Sequence, residues 1–405
     1  MTVKPEEVGL SSAQLDLIDR HLNQRYINPA KIAGALTLVA RKGEIAYFSP
    51  LGSMDLERGK PMTRDTIFRI YSMSKPIASV ALMMLYEQGL FQLMDPVQKF
   101  IPEWRNLEVY SAGLYPNFMT TPVERPMTIR DLMSHQSGLT YGFMNRSNVD
   151  RAYRKLELGA RHGDNLKGMV EKLAGIPLEF SPGKHWNYSV STDILGYLVE
   201  VMSGMTFDEY LKTKIFEPLK MVDTGFNVPE EKLDRFAANY TRTPDKKLRL
   251  EDDPVGSPYT KPATFFSGGG GLVSTASDYF RFCQMLLNRG ELDGARILGR
   301  KTIELMTLNH LPEGKDLTEM SVSAFAETPN EGTGFGLGFA VILSLANSQQ
   351  IGSVGEYSWG GAASTVFWID PVEDLILIFM TQLMPSATFN FRGQLKTIIY
   401  PAIID

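Results

Sequence analysis

The 405-residue chain has a single cysteine, Cys283, so no disulfide can form within it. Histidine is nearly as scarce. The five, at positions 21, 135, 162, 185 and 310, show no metal-ligand spacing. There is no His-Glu-x-x-His and no Gly-x-x-x-x-Gly-Lys-Ser/Thr, which removes the zincin and P-loop classes. There is no Gly-x-Ser-x-Gly either, so the strand-to-helix nucleophile elbow of one large hydrolase class is absent. No apolar run approaches the ~18 residues of a membrane helix; the longest are residues 80–85 and 375–380. Residues 1–7 are charged and lack the apolar stretch of a secretory signal, which predicts a cytoplasmic location. Charge of one sign is also lacking: 41 Lys and Arg against 46 Asp and Glu leave a net −5. That balance argues against a general nucleic-acid or anionic-membrane partner. Nothing in the chain calls for a metal or an organic cofactor.

What is present supports a large folded unit. Hydrophobic residues make up 43% and charged residues 21%, enough for a sizeable core. Cys283 falls inside the amphipathic stretch 279–287 and reads as a buried thiol. Residues 12–25 have the spacing of a surface helix, with Leu15, Ile18 and Leu22 on one side. Residues 32–40 and 44–48 read as strands joined across Lys42-Gly43. Ile77, Val80, Ala81, Met84 and Leu85 fall at helical spacing, with Leu82 and Met83 apolar as well; a helix greasy nearly all round is central. From residue 95 to 262 proline is frequent and strand-like runs are few, so this block reads as mainly helical, with helix starts at Thr128 and Ser191. Residues 336–343, 363–369 and 375–381 read as strands again. Strands at both ends with helices between predict one sheet assembled from both termini, carrying a helical insertion.

Three short motifs carry chemistry: Ser72-Met73-Ser74-Lys75, Tyr188-Ser189-Val190 and Trp359-Gly360-Gly361. About one or two Ser-x-x-Lys sequences are expected by chance in a chain this long. A second one is present, Ser181-Pro182-Gly183-Lys184, but Pro-Gly makes it a turn. The first opens a helix, where residues three apart share a face and Lys75 can reach Ser72. A serine hydroxyl needs a base to become a nucleophile, and a lysine serves only if its pKa falls through burial, helix dipole or nearby donors. Taken alone, Ser72 and Lys75 are better explained by a helix cap and a solvated amine, and it is the other two motifs that reverse this. Tyr188 could be a packing residue, or a phenol made more acidic by an ammonium and able to relay the Ser72 proton. Trp359 could be a packed indole at a turn. In the functional reading, Gly360 and Gly361 let a substrate approach the backbone, and the Ala362 N–H joins that of Ser72 as an oxyanion donor. The run Gly268-Gly269-Gly270-Gly271 reads as a tight turn rather than an anion cradle.

The order of these motifs resembles the serine β-lactamase and penicillin-binding-protein superfamily, and more closely the family VIII carboxylesterases with their class C β-lactamase fold. The resemblance runs through Ile70 to Pro76, Leu132-Met133-Ser134-His135-Gln136-Ser137-Gly138-Leu139, Pro182 to Ser189, Gly269 to Thr275 and Trp359-Gly360-Gly361. It implies an α/β (α+β) fold: an antiparallel sheet from residues 1–94 with 263–405, flanked by helices, joined to a mainly helical domain of residues 95–262, with the site in the cleft between. It implies acylation of Ser72, a base system of Lys75 and Tyr188, an oxyanion hole from Ser72 and Ala362, and substrate contact at Trp359, Gly360 and Gly361. Val190 and Trp359 stand where β-lactamases carry an amide and a cation, so the resemblance implies uncharged esters of short to medium chain rather than β-lactams. Three readings follow. The first is a carboxylesterase acting on a small-molecule ester without cofactor. The second is a β-lactamase, D-amino-acid peptidase or acyltransferase using the same site. The third is a non-catalytic scaffold, which loss of Ser72, Lys75 or Tyr188 would have favoured.

Overall fold

A computed structural model describes residues 2–322 and 331–405. Its centre is an eight-stranded antiparallel sheet made only of segments near the two ends of the chain. The strands are β1 (Gly34–Arg41), β2 (Glu44–Asp55), β3 (Lys60–Pro61), β4 (Thr333–Phe335), β5 (Ala340–Ile342), β6 (Tyr357–Gly360), β7 (Val366–Asp370) and β8 (Leu375–Met380), in the spatial order β4-β5-β6-β7-β8-β1-β2-β3. The join between the two halves is β1 against β8, with Leu36 opposite Met380 and Arg41 opposite Leu375. Lys42 and Gly43, both at positive φ, turn β1 into β2, as a two-residue hairpin connection requires.

Alternation along the strands feeds two cores. Leu36, Leu38, Ile376, Ile378, Phe367 and Ile369 pack on one face. Val39, Leu377, Phe379 and Trp368 pack on the other. The outer core is closed by α1 (Ser12–Leu22), through Leu15, Ile18 and Leu22, and by the C-terminal helix Phe391–Ile399. The inner core is closed by α2 (Ser74–Glu87), α3 (Ile129–Met133), α4 (Ser191–Ser203) and α5 (Ala276–Leu287). Helix α2 is buried from Ser74 through Met83, which explains why its sequence is greasy nearly all round. It stops at Gly89, where φ is +75°. The C-terminal helix is α6. No helix among the described residues is long and apolar enough to cross a membrane.

Two differences from the sequence reading have physical causes. Residues 336–343 are not one strand: Gly338, at φ +105°, turns the chain between β4 and β5, and a Cβ there would lie 2.4 Å from Ser79 Oγ on α2. Residues 95–262, where strand-like runs read as few, contain two hairpins that the sequence reading did not place. Glu108–Leu114 pairs with Asn117–Pro122, and Asn239–Arg242 pairs with Leu248–Asp252. The first hairpin is mostly exposed along both strands, so it carries no apolar alternation for a sequence to reveal.

Candidate active site

Ser72 lies in a 3₁₀ turn, Tyr71–Met73, and α2 begins two residues later than its motif suggested. The spacing still works, because residues three apart eclipse in 3₁₀ geometry. Tyr71 has φ +42°, uncommon for a residue with a Cβ and a form of strain found at functional sites. The turn is pinned on three sides. Ile70 N–H donates to Leu272 C=O at 3.1 Å, Leu272 N–H donates to Ser74 Oγ at 3.1 Å, and the Tyr279 hydroxyl of α5 donates to Met73 C=O at 2.9 Å. Ser72 itself is half-buried and reachable.

The structure brings Lys75 and Tyr188 onto Ser72. Tyr188 Oη donates to Ser72 Oγ at 2.6 Å, and Lys75 Nζ reaches the same oxygen at 3.3 Å. Lys75 is only 2% exposed. Its Nζ is fixed by Gly269 C=O at 2.7 Å and lies over the Tyr188 ring at 4.3 Å and the Tyr141 ring at 5.2 Å. Tyr188 sits just before α4 in an aromatic nest of His135, Tyr141 and Trp359, with centroids 5.0, 5.2 and 5.6 Å away. Asn187, the residue before it, anchors that loop: its N–H donates to His135 C=O at 2.9 Å and its amide to Leu139 C=O at 2.9 Å.

The glycine run is a turn, closed by Gly271 N–H on Ser267 C=O at 2.9 Å. What the sequence did not disclose is that this turn delivers the carbonyl that holds Lys75. It can do so only as glycine: a Cβ on Gly268 would lie 2.5 Å from Thr192 C=O, and one on Gly269 would lie 2.6 Å from the Tyr141 hydroxyl. Asp193, also unsuspected, anchors the turn from α4, accepting from Gly269 N–H at 3.0 Å and Ser267 Oγ at 2.5 Å. A first-turn acid in a helix has an ordinary dipole explanation, so nothing local marked it. Burial raises the Asp193 pKa above the usual carboxylate range, while those two hydrogen bonds and the Lys75 charge pull it back. His135, buried at φ +55°, is held well below its ordinary range, first by burial and then by Lys75. Its Nδ1 meets Ser189 Oγ at 3.2 Å, and the hydroxyls of Ser189, Ser191 and Ser137 continue inward at 2.7 Å steps.

Trp359 lies at the end of β6, fully buried, with its ring against Tyr188 and, edge-on at 5.4 Å, against Phe335. Gly361 faces the nucleophile's own backbone: a Cβ there would lie 2.5 Å from Ile70 C=O. The strand end therefore closes directly on the Ser72 turn. Ala362, partly exposed, follows in a turn set by Gly361 N–H on Thr365 C=O at 2.8 Å and Ser364 N–H on Gly361 C=O at 3.0 Å. The second Ser-x-x-Lys is the turn its Pro-Gly predicted. Gly183 has φ +87°, and the Lys184 ammonium pairs with Glu124 at 2.8 Å. Cys283 is a buried free thiol. Among the described residues no cluster of His, Cys, Asp and Glu is suited to a metal.

Known proteins resemble this chain along nearly its whole length. The chain is 36% identical to Protein Rv1367c of Mycobacterium tuberculosis over 89% of its own length and 88% of that protein's. It is 29% identical to Esterase EstB of Burkholderia gladioli, over 97% of this chain and 95% of EstB. Among solved structures, EstCE1, a hydrolase with promiscuous acyltransferase activity, superposes with a TM-score of 0.81 at 26% identity, covering 96% of this chain and all of its own. The Beta-lactamase family model matches residues 20–397, and the chain belongs to that family.

Proposed function

We propose that this protein is a serine carboxylesterase that hydrolyses uncharged, short- to medium-chain esters through an acyl-enzyme on Ser72. The observation that carries the reading is a half-buried serine oxygen held between a tyrosine hydroxyl at 2.6 Å and a buried lysine amine at 3.3 Å. The esterase relative and the hydrolase neighbour support it.

As Ser72 Oγ attacks the ester carbonyl, its proton passes to the Lys75–Tyr188 pair and the carbonyl π electrons move onto oxygen. The oxyanion lies between the N–H groups of Ser72 and Ala362. Collapse breaks the bond to the alcohol oxygen, which takes the proton back from the pair. Water then repeats the sequence on the acyl-enzyme, releasing the acid and restoring Ser72. The two basic groups share one oxygen, so they act as a coupled unit rather than as separate bases. Trp359 holds the Tyr188 ring in this reading, and Gly361 lets the strand end close on the nucleophile. Val190 and Trp359 offer neither the amide nor the cation that a β-lactam side chain and carboxylate would meet, so β-lactam turnover is slow.

Acyl transfer is the second reading, favoured by the acyltransferase activity of EstCE1 and by 26% identity to Acyltransferase calJ of Penicillium decumbens. The same acyl-enzyme would then pass its acyl group to an alcohol instead of water. The test is p-nitrophenyl butyrate hydrolysis by the wild type and Ser72→Ala, with a chromogenic cephalosporin and a primary-alcohol acceptor run in parallel. The expected result is ester turnover lost in the variant, an acyl adduct on Ser72 by mass spectrometry, and little cephalosporin cleavage. Turnover surviving in Ser72→Ala would remove Ser72 from the mechanism. Product appearing mainly as a new ester of the added alcohol would move acyl transfer to the front.

A further inference from the structure

A cavity of about 890 Å³ among the described residues has no lining residue at Ser72. It lies across the sheet, between the edge strands and α6. Strand alternation fixes which face this is. On β6, Trp359 points to Tyr188, while Ser358 pairs with Trp368 on the outer side and lines the cavity. Over β1, β7 and β8 the outer face carries Val39, Trp368 and Phe379, which fill the space beneath the covering helices. Over β5 and β6 it carries Ile342 and Ser358, too small to reach α6, and the space stays open. Ile342 is buried yet belongs to neither the inner nor the outer core.

The lining defines what fits. Its innermost charges cancel: Lys396 donates to Glu356 at 2.5 Å, Tyr400 donates to the other Glu356 oxygen at 2.6 Å, and both charged groups are nearly inaccessible. Arg392 also lines the cavity and has an interaction of its own. A charged ligand would leave water for a site whose buried charges are already paired with each other. A wholly apolar one would leave hydroxyl and amide groups without partners. The remaining surfaces are apolar at Ile342, Val366 and Phe389 and hydrogen-bonding at Ser358, Gln349 and Gln394. The volume suits a small organic molecule.

We propose that this cavity is a second binding site, separate from the Ser72 site, for a small uncharged amphiphile: an alkyl group bearing several hydroxyls, of the alkyl-glycoside class. The alkyl chain lies on Ile342, Val366 and Phe389, and the hydroxyls meet Ser358, Gln349 and Gln394.

The test is saturation-transfer NMR on the full chain with n-octyl β-D-glucoside below its micelle concentration, and with octanoate and octylamine as charged counterparts. The expected result is saturable binding of the glucoside, with octanoate and octylamine each at least about tenfold weaker. Ser358→Leu, which fills the cavity, should weaken the glucoside at least about tenfold while p-nitrophenyl butyrate turnover is retained. If Ser358→Leu does not fold, Ile342→Ser, which removes the apolar floor, takes its place with the same expectation. The proposal is overturned by binding only above the micelle concentration, by binding unchanged in the cavity variant, or by octanoate binding as tightly as the glucoside. None of these outcomes depends on whether Ser72 is the nucleophile.

Discussion

Gly361→Ala tests how tightly the end of β6 closes on the nucleophile. Its φ is not in the left-handed region, so the substitution probes space rather than backbone strain. The added carbon would lie 2.5 Å from Ile70 C=O and 2.3 Å from Thr365 Oγ1. Thr365 could turn its hydroxyl away, but Ile70 cannot yield as easily. Its carbonyl accepts from Met73 N–H at 3.0 Å, closing the turn that presents Ser72, and its N–H is held by Leu272. The strand end must therefore retreat, by half an ångström before that contact reaches the 3.0 Å at which real Cβ atoms begin to occur. Ala362 moves with it. A misplacement of 1 Å in an active site costs on the order of 10²-fold, so half that shift predicts a loss of about tenfold in kcat for p-nitrophenyl butyrate. An interaction made only in the transition state lowers kcat and kcat/KM together, so KM should change little. The overpacking itself costs about 1–3 kcal/mol and should lower the melting temperature by a few degrees. Gly256→Ala, at a position with nothing within 4 Å, is the control and should be neutral in both assays. If Gly361→Ala kept kcat within twofold and the same melting temperature, the strand end would not be clamped on the Ser72 turn. Ala362 would then lose its place as an oxyanion donor.

Tyr188→Phe removes the hydroxyl at 2.6 Å from Ser72 and should cost about 10²–10⁴-fold in turnover with the fold intact; full activity would exclude the relay. Gly269→Ala drives a carbon to within 2.6 Å of the Tyr141 hydroxyl, shifting the carbonyl that fixes Lys75; turnover should fall by about 10-fold or more, and an unchanged rate would show that Lys75 needs no such anchor. Phe143 is 59% exposed and stacked at 4.7 Å on Tyr141, the outermost ring of a line leading from Ser72. Phe143→Ala should raise KM for p-nitrophenyl octanoate about two- to tenfold and leave the acetate unaffected; equal effects on both esters would deny it a substrate contact. His135, depressed below the usual 6.5 by burial and by Lys75, leaves the folded protein with fewer bound protons than the unfolded chain in acid. Its contribution is therefore present above pH 6.5 and lost as pH falls below it, by up to about 1.4 kcal/mol per pH unit. Denaturant titrations of His135→Asn should show a flatter acid limb than the wild type, and parallel limbs would rule this out.

How much of this was legible in the chain depended on whether the cause was local. Strand β8 reads almost residue by residue, because a strand buried on both faces is a continuous apolar run. Helix α3 reads from its capping box, which the structure contains: Thr128 Oγ1 accepts from Asp131 N–H, and the Asp131 carboxylate accepts from Thr128 N–H. Ser72 and Lys75 read as a pair because three residues of turn bring them together. The hairpin of residues 108–122 did not read, since exposure along both strands leaves no period to detect.

The catalytic cluster itself is mostly non-local, and here motif reading meets its physical limit. Tyr188 reaches Ser72 across 116 residues, and Gly269 reaches Lys75 across 194. The order of motifs can suggest that such segments meet, but only packing decides which atoms touch. The glycines show the difference. Trp359-Gly360-Gly361 and the run at 268–271 both announce that something must come close to the backbone. At Gly361 the structure places the Ile70 carbonyl where a side chain would stand, a neighbour the motif did not name. For Gly269 the sequence suggested a bare turn; the structure puts Tyr141 and Asp193 against it, with its carbonyl on Lys75. A missing side chain records a close approach without recording what approaches. That information resides in residues such as Asp193, whose own sequence surroundings are unremarkable.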